Sequence, residues 1–178
     1  MPRMEEPSPP FALHRRELLA LAGGAGLLVV AWRLLGEDGP SVAIAATPAP
    51  LHLSDAEWRR RLSPQAYQVL RHGATEAPFS SPLDHNHAKG IYACAGCGRP
   101  LYSSATKFDS GTGWPSFWAP LPHAIGERKD STLGMERTEV HCARCAGHLG
   151  HVFHDGPRPT GLRYCMNGVA LRFEPARG

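Results

Sequence analysis

Two short motifs place four cysteines in pairs: CAGC carries Cys94 and Cys97, and CARC carries Cys142 and Cys145. Zinc binds thiolate sulfur in a tetrahedron, and four such ligands leave no open position for chemistry. The pairs therefore predict a structural Zn²⁺ site. Because the gap between the pairs is wider than in a simple zinc ribbon, the metal is expected to join distant parts of the domain.

The paired cysteines also allow two other interpretations. Structural disulfides occur in exported proteins, and the N-terminus of this chain predicts export. A thioredoxin-like redox pair requires a βαβ setting, whereas the surroundings here are rich in turns and short strands. Zinc is preferred over both, because Arg15 and Arg16 resemble a twin-arginine export signal. That route exports proteins that have already folded, often with a metal bound.

The fifth cysteine, Cys165, stands apart from the pairs in the segment GLRYCMNG. An unpaired cysteine is by default a small buried hydrophobic residue. In this segment, however, the cation of Arg163 can favour the thiolate, and Asn167 adds a hydrogen-bonding group nearby. The context therefore favours a reactive thiol over a core residue.

Upstream of Cys165, the segment HLGHVFHDG contains histidines at intervals of three residues, His148, His151 and His154. Imidazole exchanges protons near neutral pH, so these side chains predict general acid or base chemistry. A second metal site that includes Asp155 is the alternative, because imidazole and carboxylate are both common ligands.

Aromatic side chains are concentrated in the glycine-punctuated loop FDSGTGWPSFW, which contains Trp114 and Phe117. Loops that carry aromatic residues often form binding surfaces. Tryptophan also commonly fills a protein core, so the loop alone does not distinguish a binding residue from a packing residue.

The N-terminal segment, residues 1–45, has the layout of an export signal. Arg15 and Arg16 precede an apolar run from Leu18 to Trp32, and small residues follow. The adjacent arginines resemble a twin-arginine signal, which predicts a periplasmic or otherwise exported protein. A retained membrane anchor is the alternative, since a run of this kind approaches the length of a bilayer span.

Length and composition limit the class of protein. The 178 residues suffice for one domain with an appendage, and 42% hydrophobic and 20% charged residues are typical of a soluble globular protein. We assign residues 46–52 to a linker and residues 53–178 to the domain. The net charge of +3 is too small to indicate nucleic-acid binding, and a monomer is the default expectation.

Short helices and strands are predicted after the linker. Ser54 and Glu57 form the capping box of a first helix, and Ser63 caps a second helix that Gly73 can close. Downstream, alternating segments between turn residues predict strands in GIYACAG, FWAPL, ERTEVHC, GHVFHDG and VALRFEP. The fold class is therefore all-β, with an antiparallel body that follows the helices.

Together these motifs resemble the peptide-methionine (R)-S-oxide reductases, the B-type methionine sulfoxide reductases. The similarity runs in order through EAPFSSPLDHNHAKGIYACAGCGRPLYSS, KFDSGTGWPSF, EVHCARCAGHLGHVFHDGP and LRYCMNGVALRF. Enzymes of this kind reduce one sulfoxide epimer of oxidised methionine. The resemblance implies two packed antiparallel sheets with short N-terminal helices and a structural zinc site. It also implies oxidised proteins or peptides as substrates, with free methionine-R-sulfoxide as the alternative.

The resemblance assigns a role to each residue that matches a family motif. The thiol would attack the substrate, the histidines would handle the proton, and aromatic side chains would receive the substrate methyl group. The implied catalytic residues are Cys165, His151, His148 and Asn167; the implied substrate-binding residues are Trp114, Phe153 and Arg163; the implied zinc ligands are Cys94, Cys97, Cys142 and Cys145.

One position departs from the family pattern. Many members carry a second, resolving cysteine in the loop that here reads SGTGWPSF, and the corresponding residue is Thr112. The resemblance therefore implies regeneration of Cys165 by an external reductant, either a small thiol or a thioredoxin-like or glutaredoxin-like protein. The competing classes are a non-catalytic zinc-ribbon module and a disulfide oxidoreductase, and neither explains Cys165 together with the histidines.

Overall fold

Two short helices begin the described part of the chain, which in this computed structural model covers residues 49–177. Helix α1 spans Asp55–Arg61 and helix α2 spans Pro64–His72. The Ser54 hydroxyl accepts a hydrogen bond from the Glu57 backbone N–H, and the Glu57 carboxylate accepts one from the Ser54 backbone N–H. Gly73 ends α2 in the left-handed conformation, with a φ of 69°. The predicted helices and caps are confirmed.

The predicted export signal, residues 1–45, lies outside the described residues and stays a prediction. The same holds for the boundary of the linker that follows it. Within residues 49–177, no helix is both long enough and apolar enough to cross a membrane.

Short strands make up the rest of the described chain. All neighbouring strands are antiparallel, and they form a three-stranded sheet in the order β2-β1-β9 and a six-stranded sheet in the order β3-β4-β8-β7-β6-β5. The predicted all-β fold with two antiparallel sheets is therefore confirmed. The strands are β1 Gly90–Cys94, β2 Pro100–Ser103, β3 Lys107–Phe108, β4 Ser116–Phe117, β5 Ile125–Asp130, β6 Arg137–Cys142, β7 His148–Phe153, β8 Arg163–Met166 and β9 Leu171–Pro175.

The two sheets pack against each other through buried aromatic rings. Tyr102 of β2 stacks on Phe117 of β4 with ring centroids 4.4 Å apart, and Tyr92 of β1 meets Phe117 edge-on at 5.0 Å. The Tyr102 hydroxyl also donates to the Met166 sulfur of β8 at 3.2 Å. These contacts hold β4 and β8 firmly against the smaller sheet.

The last predicted strand begins later than the sequence pattern indicates. Val169 belongs to a 3₁₀ turn over Gly168–Ala170, and β9 starts only at Leu171. The carboxylate of Glu76 accepts hydrogen bonds from the backbone N–H groups of Gly168 and Val169. This removes both N–H groups from a strand ladder. The predicted FWAPL strand is likewise reduced to Phe117, the last residue of β4.

Candidate active site and zinc centre

Strand β8 places Cys165 at the centre of the larger sheet. Its direct neighbours across the strands are Ser116 of β4 and His151 of β7. Side chains at directly opposed positions of antiparallel strands have Cβ atoms about 4.5–5.5 Å apart. The strand register therefore brings the Cys165 thiol beside the His151 imidazole.

An irregularity in β7 brings a second histidine to the same place. The register of β7 against β6 skips Leu149, so the usual alternation of faces shifts by one residue. His148 and His151, three residues apart, consequently meet edge-on with ring centroids 5.4 Å apart. His154 lies beyond the end of the strand and is exposed.

His151 is held by a carboxylate that the sequence analysis did not single out. Its Nε2 lies 2.8 Å from Oδ2 of Asp130, and Arg137 donates to the same oxygen at 2.7 Å. Hydrogen bonds from Thr132 and from His151 hold the pKa of Asp130 well below its usual range. Because Asp130 is an anion, Nε2 of His151 donates, and Nδ1 is the nitrogen left for another partner.

His148 is buried and paired with a different carboxylate. Its Nδ1 lies 2.8 Å from Oε1 of Glu139, and Arg128 donates to that oxygen at 2.8 Å. Burial lowers the pKa of His148 in spite of the Glu139 charge. His148 is thus a neutral ring at neutral pH, and it supports His151 from the side.

A small cavity opens between these strands and the aromatic loop. Its volume is about 140 Å³. A water molecule occupies about 30 Å³ in the liquid, so the cavity is large enough for the tip of a side chain. The lining residues are Thr75, Trp114, Arg137, Gly150, His151, Phe153, Cys165 and Asn167.

The two aromatic walls of the cavity are fixed by polar contacts. The indole Nε1 of Trp114 donates to the carbonyl of Glu76 at 3.2 Å. The Arg163 guanidinium lies 4.5 Å from the centre of the Phe153 ring and forms a two-pronged ion pair with Asp155 at 2.8 and 2.9 Å. Arg163 therefore supports Phe153 from outside and does not itself line the cavity.

Asn167 lines the cavity but uses most of its amide for structure. Oδ1 accepts from the Glu76 backbone N–H at 2.9 Å, and Nδ2 donates to the Leu149 carbonyl at 3.0 Å. These bonds fasten the end of β8 to β7 and to the segment before the aromatic loop. The second N–H of Nδ2 has no hydrogen-bond partner among the described residues.

The environment of Cys165 favours its neutral form. Burial raises the pKa of the thiol, and the hydroxyls of Thr112 and Ser116 and the cation of Arg163 offset only part of that rise. The sequence indicated correctly that Arg163 favours the thiolate. Its effect is outweighed by desolvation, which depends on the tertiary structure.

The four paired cysteines converge on one point. Their sulfur atoms all lie within 4.8 Å of one another, and none forms a disulfide. The Sγ atoms of Cys94 and Cys145 are 3.7 Å apart, and those of Cys97 and Cys142 are 3.5 Å apart. A tetrahedron with Zn–S bonds of about 2.3 Å requires sulfur separations of about 3.8 Å. The donor set therefore fits zinc, as predicted.

The two Cys-x-x-Cys turns have the same pattern of backbone hydrogen bonds. In the first, between β1 and β2, the Gly98 N–H donates to the Cys94 carbonyl at 2.9 Å; in the second, between β6 and β7, the Ala146 N–H donates to the Cys142 carbonyl at 2.9 Å. Gly98 and Ala146 both have positive φ angles, 75° and 53°. The cluster therefore joins a turn of the smaller sheet to a turn of the larger one.

Arginines surround the cysteine cluster. Arg71 of α2 donates to the Cys145 carbonyl at 2.9 Å, and Arg144 donates to the Cys97 carbonyl at 3.1 Å. A zinc ion with four thiolates carries a net charge of about −2, which nearby guanidinium groups stabilise. Within residues 49–177, no second cluster of potential metal ligands occurs, so the alternative metal site at His154 and Asp155 gains no support.

Comparison with known proteins agrees with the geometry. The family model described as the SelR domain matches residues 62–175. A protein named Peptide methionine sulfoxide reductase MsrB from Agrobacterium fabrum is 55% identical over 72% of this chain and 96% of the relative. A protein of the same name from Thiobacillus denitrificans is 57% identical over 68% of this chain and 93% of the relative. The chain belongs to the B-type methionine sulfoxide reductase family.

The reductase site includes residues that sequence reasoning missed. Asp130 and Glu139 orient the two histidines, and Glu76 holds both Trp114 and Asn167. Asp130 and Glu139 lie in charged segments that resemble ordinary solvated strands. Glu76 lies within the family segment EAPFSSPLD, but its partners just after β8 are 91 and 92 residues away in sequence, so no local pattern indicated its role.

Proposed function

We propose that this protein reduces methionine-R-sulfoxide, bound in oxidised proteins or peptides, by direct attack of Cys165. The observation that supports the proposal best is the pairing of Cys165 with His151 across β7 and β8, inside a cavity walled by Trp114 and Phe153. Membership in the B-type reductase family supports the same activity.

The reaction transfers one oxygen atom between two sulfur atoms. A sulfoxide sulfur is electrophilic, but its oxygen leaves only when it is protonated. Cys165 attacks that sulfur while His151 delivers a proton to the oxygen, and the proton that the thiol gives up restores the one that His151 has lost. The oxygen ends on Cys165 as a sulfenic acid, and methionine leaves as the reduced product. In the net step, one thiol and one sulfoxide become one sulfenic acid and one thioether.

The carboxylate of Asp130 supports this role of His151. It accepts a hydrogen bond from Nε2 and fixes the orientation of the ring, so that Nδ1 is the nitrogen available to the substrate oxygen. Neutral His148 packs against the ring and restricts its rotation. The raised pKa of Cys165 fits the same scheme, because a proton on the substrate then becomes necessary for attack.

The size and walls of the cavity support a protein-bound substrate. A volume of about 140 Å³ holds the methylsulfinyl tip, while the backbone of the substrate stays outside. Trp114 and Phe153 offer apolar faces to the methyl group, and His151 offers a donor to the oxygen. Fixing both groups relative to Cys165 favours a single configuration at sulfur.

Bound zinc would stabilise the scaffold by cross-linking the two sheets through the four paired cysteines. Its four thiolate ligands leave no position for substrate, so the zinc site is structural in this proposal. The chemistry at the cavity then rests on Cys165, His151 and their supporting residues alone.

We infer that an external thiol regenerates Cys165. Thr112, at the position of the resolving cysteine in other members, has no sulfur to donate, and the four remaining cysteines form the zinc cluster. Two external thiols, or one dithiol protein, reduce the sulfenic acid to the thiol and release water while they become a disulfide.

We also propose that residues 1–45 direct export of the protein. The mass of the mature protein, which reports where its N-terminus begins, would test this proposal.

The proposed activity predicts a strong preference between the two sulfoxide epimers. With dithiothreitol as reductant, the full-length protein is expected to reduce a peptide that contains methionine-R-sulfoxide about 100-fold or more faster than the S peptide, because only one configuration fits. Chromatography of the peptides over time measures both rates. Equal rates on the two epimers would refute the assignment.

The one-cysteine cycle predicts a distinct product of a single turnover. Without reductant, the wild-type protein is expected to hold a sulfenic acid at Cys165, which dimedone traps and peptide mass spectrometry locates. The matched variant Thr112→Cys is expected to form a disulfide with Cys165 instead, because the side chain at this position lies 3.8 Å from Sγ. An intramolecular disulfide at Cys165 in the wild-type protein contradicts the cycle.

A further inference from the structure

Three hydroxyl side chains form a continuous row that ends at the Cys165 sulfur. The Thr112 hydroxyl lies 3.8 Å from Sγ, and the Ser110 hydroxyl lies 2.8 Å from that of Thr112. Ser110 is also 2.8 Å from the hydroxyl of Ser116, which donates to the Trp114 carbonyl at 3.1 Å. Sulfur, three hydroxyls and a carbonyl are therefore linked from end to end.

The fold positions this row of hydroxyls, and the Ser116 end of the row is buried from solvent. Ser116 is fully buried in β4 and directly faces Cys165 across the strand pair. The backbone N–H of Thr112 donates to the Ser110 hydroxyl at 3.4 Å, and this bond fixes the loop around the two side chains. The chain of hydroxyls is thus part of the wall behind the thiol.

The three hydroxyls can form a complete set of hydrogen bonds whether the Cys165 thiol is protonated or ionised. Each hydroxyl has one proton to donate and lone pairs that can accept. When the thiol is protonated, it donates to Thr112, Thr112 to Ser110, Ser110 to Ser116, and Ser116 to the Trp114 carbonyl. When the thiol has lost its proton, Ser110 donates to Thr112 and Thr112 donates to sulfur, while Ser116 keeps its carbonyl. Only two O–H bonds rotate.

We propose that Thr112, Ser110 and Ser116 act as a reversible hydroxyl chain that donates a hydrogen bond to the Cys165 sulfur once the proton has left. Thr112 touches the reacting sulfur and is a catalytic residue, whereas the two serines are positioning residues. The benefit for turnover rests on the proposed function, but the hydrogen bond itself forms without substrate. Aligned donors strengthen one another, and donation to an anion is stronger than donation to a neutral group.

The hydroxyl chain supplies stabilisation of the thiolate that the charged groups around Cys165 provide only in part. The charged or titratable groups near the thiol are His151 from β7, Arg163 from its own strand and Arg137 at the cavity wall, and Arg163 is already paired with Asp155. Desolvation of the thiol outweighs the help of Arg163. A neutral donor that needs no counter-ion therefore stabilises the thiolate where burial disfavours it.

Alkylation of Cys165 tests the chain independently of sulfoxide reduction. The rate constant for iodoacetamide is measured against pH on the full-length protein, and mass spectrometry of the Cys165 peptide reports the label. Thr112→Val, which keeps the shape and removes the hydroxyl, is expected to react about 10-fold more slowly at pH 7, with the same plateau at high pH. Thr112→Ser is expected to react at close to the wild-type rate, and Ser110→Ala is expected to give an intermediate, two- to threefold loss.

Each variant is compared at equal zinc content and equal melting temperature. The proposal is overturned if Thr112→Val keeps the wild-type pH profile, or if Thr112→Ser is as slow as Thr112→Val. Should Thr112→Val fail to fold, an unchanged profile for Ser110→Ala overturns it equally, because that variant leaves Thr112 in place. A protein that shows these alkylation profiles but reduces no sulfoxide refutes the proposed function and leaves the hydroxyl chain supported.

Discussion

Replacement of Cys165 by serine is expected to lower kcat/KM for the R-sulfoxide peptide by more than about 1,000-fold. A serine hydroxyl is a far weaker nucleophile towards sulfur than a thiol, and it cannot take up the substrate oxygen as a sulfenic acid. The side chain is nearly the same size, and Cys165 is only half-buried, so the sheet around it is expected to be unchanged. Initial rates with dithiothreitol measure the loss.

The control for this experiment is a measurement of zinc content and melting temperature. Cys165→Ser is expected to bind zinc and to melt within a few degrees of the wild-type protein, because Cys165 is not part of the four-cysteine cluster. Cys97→Ser, a matched exchange of a partly exposed cysteine, is expected to lower both the zinc content and the melting temperature. Activity that survives Cys165→Ser, with correct folding, would rule out the proposed nucleophile.

Loss of the zinc cluster is expected to unfold the domain at physiological temperature. Zinc contributes about 10–16 kcal/mol of apparent binding free energy in small zinc-dependent folds, which matches or exceeds the typical total stability of a domain, about 5–15 kcal/mol. Cys142 is fully buried at the end of β6, so Cys142→Ser leaves a three-ligand site with a buried hydroxyl. We expect a fall in melting temperature of more than about 10 °C.

Two measurements check the role of zinc. Native mass spectrometry of the wild-type protein is expected to detect bound zinc, and a strong chelator is expected to lower the melting temperature as Cys142→Ser does. Activity is then lost together with the fold. If Cys142→Ser or chelation left the melting temperature unchanged, the cluster would not be the structural cross-link between the sheets that its position indicates.

The local parts of the fold were predictable from the sequence. The capping box at Ser54 and the glycine end at Gly73 depend on residues within one helix, so short-range hydrogen bonding decides them. The paired cysteines were equally readable, because two turns with matching spacing specify a tetrahedral thiolate site. The error at Val169 has a tertiary cause, since Glu76 accepts its N–H from across the molecule.

The sequence by itself determined which chemical groups the protein has: a thiol outside the zinc set, histidines upstream, a tryptophan loop, and threonine in place of a second cysteine. The tertiary structure decided which of them meet. Register places Cys165 against His151, the irregularity at Leu149 turns His148 to the same side, and Asp130 reaches Nε2 from β5. Strand register depends on long-range pairing and on extra residues within strands, neither of which local composition encodes. The same long-range pairing buries the thiol and thereby sets its ionisation.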